Sequence, residues 1–148
     1  TAVAAGFSYL AELLPWVDVL QLSRTEIGHL LPGCQPEKAA WRLRQAGVQV
    51  VVITLGAAGA WIAFAEELVH IPAMRGLPVV DTTGAGDAFA AGLVCGYLEG
   101  KTWPEAARLA NAVAALKLGA RGARSGLPYR SAVESILAAG KNAEAGCI

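Results

Sequence analysis

Residues 45–65 carry no charged side chain, and this uncharged stretch constrains the fold more than any other feature of the 148-residue chain. Its centre, residues 48–54, is rich in β-branched residues, which is typical of a strand buried on both faces of a sheet. The stretch is nearly long enough to span a bilayer, but Gly47, Gly56 and Gly59 interrupt it. We therefore expect a buried strand and no membrane partner.

Strand-like and helix-like segments alternate along most of the chain. Apolar runs predict strands at residues 17–22, 48–54, 61–65, 68–71 and 79–81, of which the third and fourth form a hairpin. Helical periodicity and capping signals predict helices at residues 8–14, 36–46, 84–98, 102–116 and 129–139. This alternation favours one α/β domain over residues 1–148, a three-layer αβα arrangement with a mainly parallel sheet.

Charge and cysteine content exclude several classes of function. The chain has 12 basic and 12 acidic side chains, so no overall field attracts nucleic acid or an anionic membrane. Its three cysteines, Cys34, Cys95 and Cys147, have neither the even number of a disulfide framework nor the spacing of a zinc site. We expect reduced thiols and a cytoplasmic protein.

Residues 81–89, Asp-Thr-Thr-Gly-Ala-Gly-Asp-Ala-Phe, combine the end of an expected strand, a glycine-rich turn and the start of a long helix. Amides at a helix start lack helical partners and carry partial positive charge, so Gly84, Ala85 and Gly86 suit a phosphate. Asp87 follows, and a carboxylate beside a bound phosphate suits a base that deprotonates an attacking hydroxyl. Spacing alone leaves a second interpretation open, in which Asp87 is only a favourable first-turn acid.

Two other phosphate-binding motifs are incomplete. Gly84 and Gly86 begin a dinucleotide fingerprint, but Phe89 occupies the position of its third glycine. Residues 96–102 approach a P-loop, but one residue is missing between the two glycines and the segment ends an expected helix. We base no function on either motif.

The unbroken run of residues 81–87 resembles the signature of the ribokinase-like, or PfkB, carbohydrate kinases. Residues 54–59, Thr-Leu-Gly-Ala-Ala-Gly, are similar to the nucleotide loop of that family. Residues 18–26 resemble its Asn-x-x-Glu segment, with Ser23 in place of Asn, and residues 119–128 resemble its closing Gly-Ala and Pro stretch. The resemblance implies a truncated ribokinase-like α/β fold, the C-terminal half of such a kinase.

The resemblance also implies roles for individual residues. Asp87 would be the catalytic base, and Gly84, Ala85 and Gly86 would form the anion hole for the γ-phosphate of ATP. The residues implied at the nucleotide site are Ser23, Thr54, Gly56, Gly59 and Asn111. Glu26 would help to hold Mg²⁺ through water. The residues implied at a K⁺ site are Asp81 and Thr83, with the backbone carbonyls of Lys117, Ala120 and Gly122.

The implied function is transfer of the γ-phosphate from ATP to a hydroxymethyl group of a sugar or sugar acid. Two alternatives stay open: an inactive or nucleotide-binding fragment, and a nucleoside or vitamin-precursor kinase on the same fold. The N-terminal half supplies most sugar contacts in the family, so we expect the chain to need that half or a homo-oligomer. A half-sheet would expose an edge strand and an apolar face, which predicts aggregation.

Overall fold

The computed structural model describes residues 10–145, with side chains through residue 139. The chain divides between Ala73 and Met74 into two compact units. The helix expected at residues 8–14 begins outside the described residues. Residues 10–11 are helical, and a 3₁₀ turn at Leu14–Trp16 follows, with Pro15 inside it.

From residue 17 onwards, the first unit is a four-stranded sheet with two helices. Its strands are β1 (Val19–Ser23), β2 (Val50–Thr54), β3 (Ala60–Phe64) and β4 (Glu67–Ile71). Its helices are α1 (Arg24–Leu30) and α2 (Pro36–Gln45). The strands lie in the order β1-β2-β3-β4; β1 and β2 are parallel, and the other two pairs are antiparallel.

The sheet of the described residues is therefore mixed rather than mainly parallel. Parallel neighbours need a long crossover, which α1 and α2 supply between β1 and β2. The later strands follow one another through short turns, in which Gly59 (φ 92°) and Ala65 (φ 46°) have positive backbone angles. The expected hairpin is confirmed as β3 and β4, each of which begins one residue earlier than predicted.

Helices α1 and α2 pack on one face of the sheet. Ala40 and Leu43 of α2 belong to one buried cluster with Val51 and Ile53 of β2. Val50 and Val52, whose side chains point to the opposite face, are also buried. Burial on both faces explains why the chain carries an uncharged, β-branched run at β2.

The described part of the second unit, up to residue 145, contains three helices: α3 (Ala85–Leu98), α4 (Trp103–Lys117) and α5 (Arg130–Ala145). A Cβ built on Gly92 would lie 2.7 Å from Cα of Ala110, and one on Gly96 would lie 2.7 Å from Cα of Ala106. The two glycines therefore let α3 and α4 approach more closely than larger residues would permit. Over residues 10–145, no helix combines the length and hydropathy needed to cross a membrane.

Three elements differ from the sequence-based expectation. Residues 79–81 form no strand, because Val79 and Val80 are exposed and the Val80 amide donates to the Leu118 carbonyl instead of a strand. Helix α5 continues through Gly140, since one glycine costs a helix only about 1 kcal/mol. Helix α1 was not predicted, although Ser23 caps its start.

Candidate active site

Helix α3 begins without a side-chain cap. Its N-cap residue is Gly84, in the left-handed conformation with φ 78° and ψ 6°. Helices α1 and α4, in contrast, begin with capping boxes formed by Ser23 with Glu26 and by Thr102 with Glu105. The N-cap of α3 has no side chain that competes for the amides of the first turn, although the Ala85 amide donates to the Thr82 carbonyl at 3.1 Å. The positive end of the helix dipole makes this helix end suitable for an anion.

Gly86 and Asp87 lie at the surface of the first turn of α3. Both residues are exposed, and a Cβ built on Gly86 would meet no atom within 4 Å. A Cβ on Gly84 would lie 2.7 Å from the carbonyl oxygen of Ala123. Packing therefore explains glycine at position 84 but not at position 86. A ligand that approaches the backbone of the turn would explain the second glycine.

The segment before α3 is held by hydrogen bonds to Asp81. Its Oδ2 accepts the Gly122 amide at 2.7 Å, and its Oδ1 accepts the Thr83 amide at 2.9 Å. The Asp81 amide donates to the Leu118 carbonyl at 3.2 Å. The hydrogen bond from the Gly122 amide, followed by that from Thr83, lowers the pKa of Asp81 from 3.8 to about 2.

Lys117, the last residue of α4, is fully buried, and its Nζ donates to the main-chain carbonyl of Asp81 at 3.2 Å. Sequence reasoning assigned only the backbone carbonyl of Lys117 and missed its ammonium. The sequence contained a signal: Lys117 stands four residues after Val113, so its charge falls on the apolar stripe of α4.

The residues predicted at a K⁺ site lie close together and are bonded to one another. Thr83, Gly122 and Lys117 each donate a hydrogen bond to Asp81. The Ala120 amide donates to the Lys117 carbonyl at 3.3 Å. A cation bound here would contact an Asp81 carboxylate that already accepts hydrogen bonds from two amides. The main-chain carbonyl of Asp81 already accepts a hydrogen bond from the Lys117 ammonium.

In the first unit, candidate residues gather at the carboxyl ends of β1 and β2. Ser23 is the register partner of Thr54, and the Thr54 hydroxyl donates to the Leu22 carbonyl at 3.4 Å. The carboxyl ends of parallel strands are where open α/β sheets bind ligands. Ser23 and Thr54 therefore occupy the end of the sheet at which a nucleotide is expected.

Glu26 takes part in helix capping. Its Oε2 accepts the Ser23 amide and the Ser23 hydroxyl, each at 2.7 Å, and the Glu26 amide donates to Ser23 Oγ at 3.2 Å. The Ser23 hydroxyl and then its amide lower the pKa of Glu26, which keeps the carboxylate charged. Oε1 is the oxygen through which Glu26 could hold Mg²⁺ or a water of its shell.

The two glycines after β2 have different surroundings. A Cβ on Gly59 would lie 2.1 Å from the carbonyl oxygen of Ile71, so the fold itself requires glycine there. A Cβ on Gly56 (φ 60°) would meet no atom within 4 Å, which leaves open space beside the backbone near Thr54. Asn111, the remaining nucleotide-site candidate, lies half-buried in the middle of α4.

No ready-made metal centre accompanies these groups. Within the part of the chain that the structure describes, no three His, Cys, Asp or Glu side chains cluster closely enough to hold a metal ion. Mg²⁺ commonly binds one or two carboxylates together with substrate phosphates and water. A single carboxylate such as Glu26 fits that requirement of Mg²⁺.

Comparison with known families matches residues 5–130 to the pfkB family carbohydrate kinase. An uncharacterized sugar kinase of Archaeoglobus fulgidus is 47% identical over 123 residues, which cover 83% of this chain and 48% of that protein. Arabidopsis thaliana ribokinase complexed with ribose and ATP has a TM-score of 0.78 at 33% identity, covering 86% of this chain and 43% of that chain. An Escherichia coli structure in complex with ATP and Mg²⁺ has a TM-score of 0.78 at 29% identity, covering 88% and 42%.

These similarities confirm the ribokinase-like α/β fold class. The chain spans about half the length, or less, of the proteins it matches. The matched region includes the start of α3 and the carboxyl ends of β1 and β2.

Proposed function

The chain belongs to the PfkB family of carbohydrate kinases, and from this premise we propose that it supplies the nucleotide site and catalytic base of an ATP-dependent kinase. The proposed reaction transfers the γ-phosphate to a hydroxymethyl group of a sugar or sugar acid. One observation carries the proposal: α3 starts at Gly84 without a side-chain cap, and the exposed Gly86 and Asp87 follow in its first turn. This arrangement would put the proposed anion site beside the proposed proton acceptor.

The proposed transfer uses these groups together. The amides at the start of α3 bind the oxygens of the γ-phosphate and stabilise the charge that develops on them. The Asp87 carboxylate takes the proton of the acceptor hydroxyl while that oxygen forms its bond to phosphorus. The bond from phosphorus to the bridging oxygen breaks, ADP leaves, and Asp87 later releases its proton to water.

The proposed nucleotide contacts are Ser23, Thr54, Gly56, Gly59 and Asn111. Gly56 offers open backbone, while Gly59 contributes by permitting the turn. Mg²⁺, when bound, offsets the charge of the phosphates. Glu26 would hold it directly or through water by Oε1, because the Ser23 hydroxyl and amide both donate to Oε2.

A K⁺ ion is proposed at the carbonyls of Lys117, Ala120 and Gly122, beside Asp81 and Thr83. Its test is thermal unfolding in KCl and in NaCl at equal ionic strength. A higher melting temperature in KCl supports the site, whereas equal temperatures in the two salts contradict it.

Asp87→Asn tests the proposed base. Calorimetry measures ATP binding, and ADP release over a panel of sugars, sugar acids and nucleosides measures transfer. Turnover is compared in whichever form transfers phosphate, the chain alone or the chain joined to the N-terminal half of a relative. There we expect the variant to keep its ATP affinity within a few-fold and to lose turnover by roughly 10²–10⁴-fold. Glu66→Gln, which removes an exposed acid in the β3–β4 turn, is the matched control and should change neither. Normal turnover in Asp87→Asn would contradict the assigned role.

The same measurements separate the alternative functions. Binding of ATP by the chain with no transfer to any acceptor indicates a nucleotide-binding fragment, or a kinase that needs further polypeptide. Transfer to nucleosides alone indicates a nucleoside kinase. Transfer to a sugar or sugar acid supports the function proposed above.

A further inference from the structure

One charged side chain has no part in the proposed transfer and yet lies in the interior. Lys117 has 0% exposure, and it is the only charged side chain that is buried among the described residues. An ammonium is costly to remove from water, and an aliphatic residue would fill the same position in α4 without that cost. The negative end of the helix dipole at the C-terminus of α4 offsets only part of it.

The hydrogen bond that Lys117 makes compensates a further part of this cost. Its Nζ reaches the main-chain carbonyl of Asp81, 3.2 Å away. The carboxylate of Asp81 accepts the Thr83 and Gly122 amides, and its amide donates to Leu118. Asp81 is thus fixed through its amide, its carbonyl and both carboxylate oxygens. The hydrogen bond to its carbonyl comes from the side chain of Lys117 on α4.

Asp81 is three residues from the turn that begins α3. The Thr82 carbonyl accepts the Ala85 amide at 3.1 Å, and Gly84 packs so closely on Ala123 that a Cβ would not fit. A shift of the Asp81 carbonyl would therefore be transmitted along a short, tightly packed segment to the amides of the turn. The shape of an anion site matters, because misplaced donors bind phosphate weakly.

We propose that Lys117 is a positioning residue, whose buried ammonium holds the Asp81 carbonyl and thereby keeps the turn at Gly84–Gly86 in the shape that receives a phosphate. The identity of the anion rests on the proposed function. The fixing of the segment by Lys117 does not depend on it, so the two can fail separately.

Amide hydrogen exchange in the 148-residue chain tests the positioning role without any ligand. Lys117→Met removes the ammonium but keeps an unbranched side chain. We expect the bonded amides of Asp81, Thr83 and Gly122 to exchange at least about tenfold faster, while β2 keeps its protection and the melting temperature does not fall. Lys101→Met, at a partly exposed ion pair with Glu99, is the matched control and should leave these amides unchanged.

Calorimetry with ATP is the second readout. Lys117→Met should weaken ATP binding about tenfold, and Lys101→Met should leave it unchanged. If the wild-type chain binds no ATP, the proposed function fails, and exchange alone decides the positioning role.

Unchanged exchange at Asp81, Thr83 and Gly122 overturns the inference, as does faster amide exchange throughout the second unit. If Lys117→Met does not fold, Lys117→Gln, too short to reach the carbonyl, replaces it with the same expected results.

Discussion

Gly84 and Gly86 stand two residues apart in the same turn, and the structure gives different reasons for them. Gly84 has positive φ and lies against the backbone of Ala123, so the fold requires it. Gly86 has open space where its Cβ would be. A side chain at Gly86 should therefore disturb a bound phosphate and leave the folded protein intact.

Gly86→Val should lower ATP affinity about tenfold or more, because the side chain would occupy the space above the amides. Its melting temperature should stay close to that of the wild type, since a Cβ at position 86 would lie within 4 Å of no atom beyond the neighbouring helical backbone. Ala91→Val, an exposed position of the same helix, controls for valine in α3. Calorimetry and thermal unfolding measure both variants, and normal ATP binding by Gly86→Val would show that phosphate does not lie there.

The charge of Asp81 should make stability depend on acid. Its pKa falls from 3.8 to about 2 in the folded chain, so the stabilisation is complete above pH 3.8 and is lost as the pH falls towards 2. Asp81→Asn should be less stable than the wild type at about pH 5, and the difference should shrink as the pH falls through this window. Urea unfolding across that range measures it, and a constant difference would contradict the assignment.

Single residues show how far the sequence could be interpreted. The motif predicted that Gly86 and Asp87 lie in the first turn of a helix, because a helix start depends on residues that are neighbours in sequence. The ammonium of Lys117 was missed, since its partner, Asp81, is 36 residues away in sequence. Only folding brings the two together.

At the scale of elements, the α3–α4 pair depends on small residues. A Cβ at Gly92 would lie 2.7 Å from a backbone atom of α4. Gly92→Val should therefore force the helices apart and lower the free energy of unfolding by about 1–3 kcal/mol or more. Ala91→Val adds bulk one residue away, on the exposed face, and should cost well under 1 kcal/mol. Urea unfolding compares the two, and equal stabilities would contradict the close packing.

Elements with a strong local signal were predicted, and weaker ones were not. The capping box of Thr102 and Glu105 predicted the start of α4, and the β-branched run predicted β2. Ser23 and Glu26 form the same kind of box before α1, but they were interpreted only as nucleotide and metal ligands. The strand expected at residues 79–81 failed, because two valines suggest a strand only where a neighbouring strand can pair with them.

At the scale of the whole molecule, α3 has an exposed apolar stripe as well as a buried one. Val94 is 55% exposed and Leu98 is 76% exposed, and Ala91 and Cys95 lie on the same side. We propose that a second copy of the chain covers this stripe, because a contiguous exposed apolar face favours burial against another apolar surface. The apolar face expected from the sequence belonged to a half-sheet, and the stripe on α3 was not predicted, because its position depends on how α3 packs.

Self-association tests this proposal. The chain should form oligomers or aggregates as its concentration rises, and Leu98→Lys should reduce them by placing a charge on the stripe. Leu127→Lys changes an exposed leucine outside α3 and should have little effect. Sedimentation under reducing conditions measures both variants. A chain that stays monomeric at high concentration would contradict the proposal.

The central claim, that the amides opening α3 bind the phosphate beside Asp87, is tested most directly by an ATP titration of the ¹⁵N-labelled chain followed by NMR. We predict that the amide resonances of Ala85, Gly86 and Asp87 are among those that move most, and that they saturate with the affinity measured by calorimetry. If ATP binds with that affinity while these three resonances stay in place, the phosphate lies elsewhere and the claim is wrong.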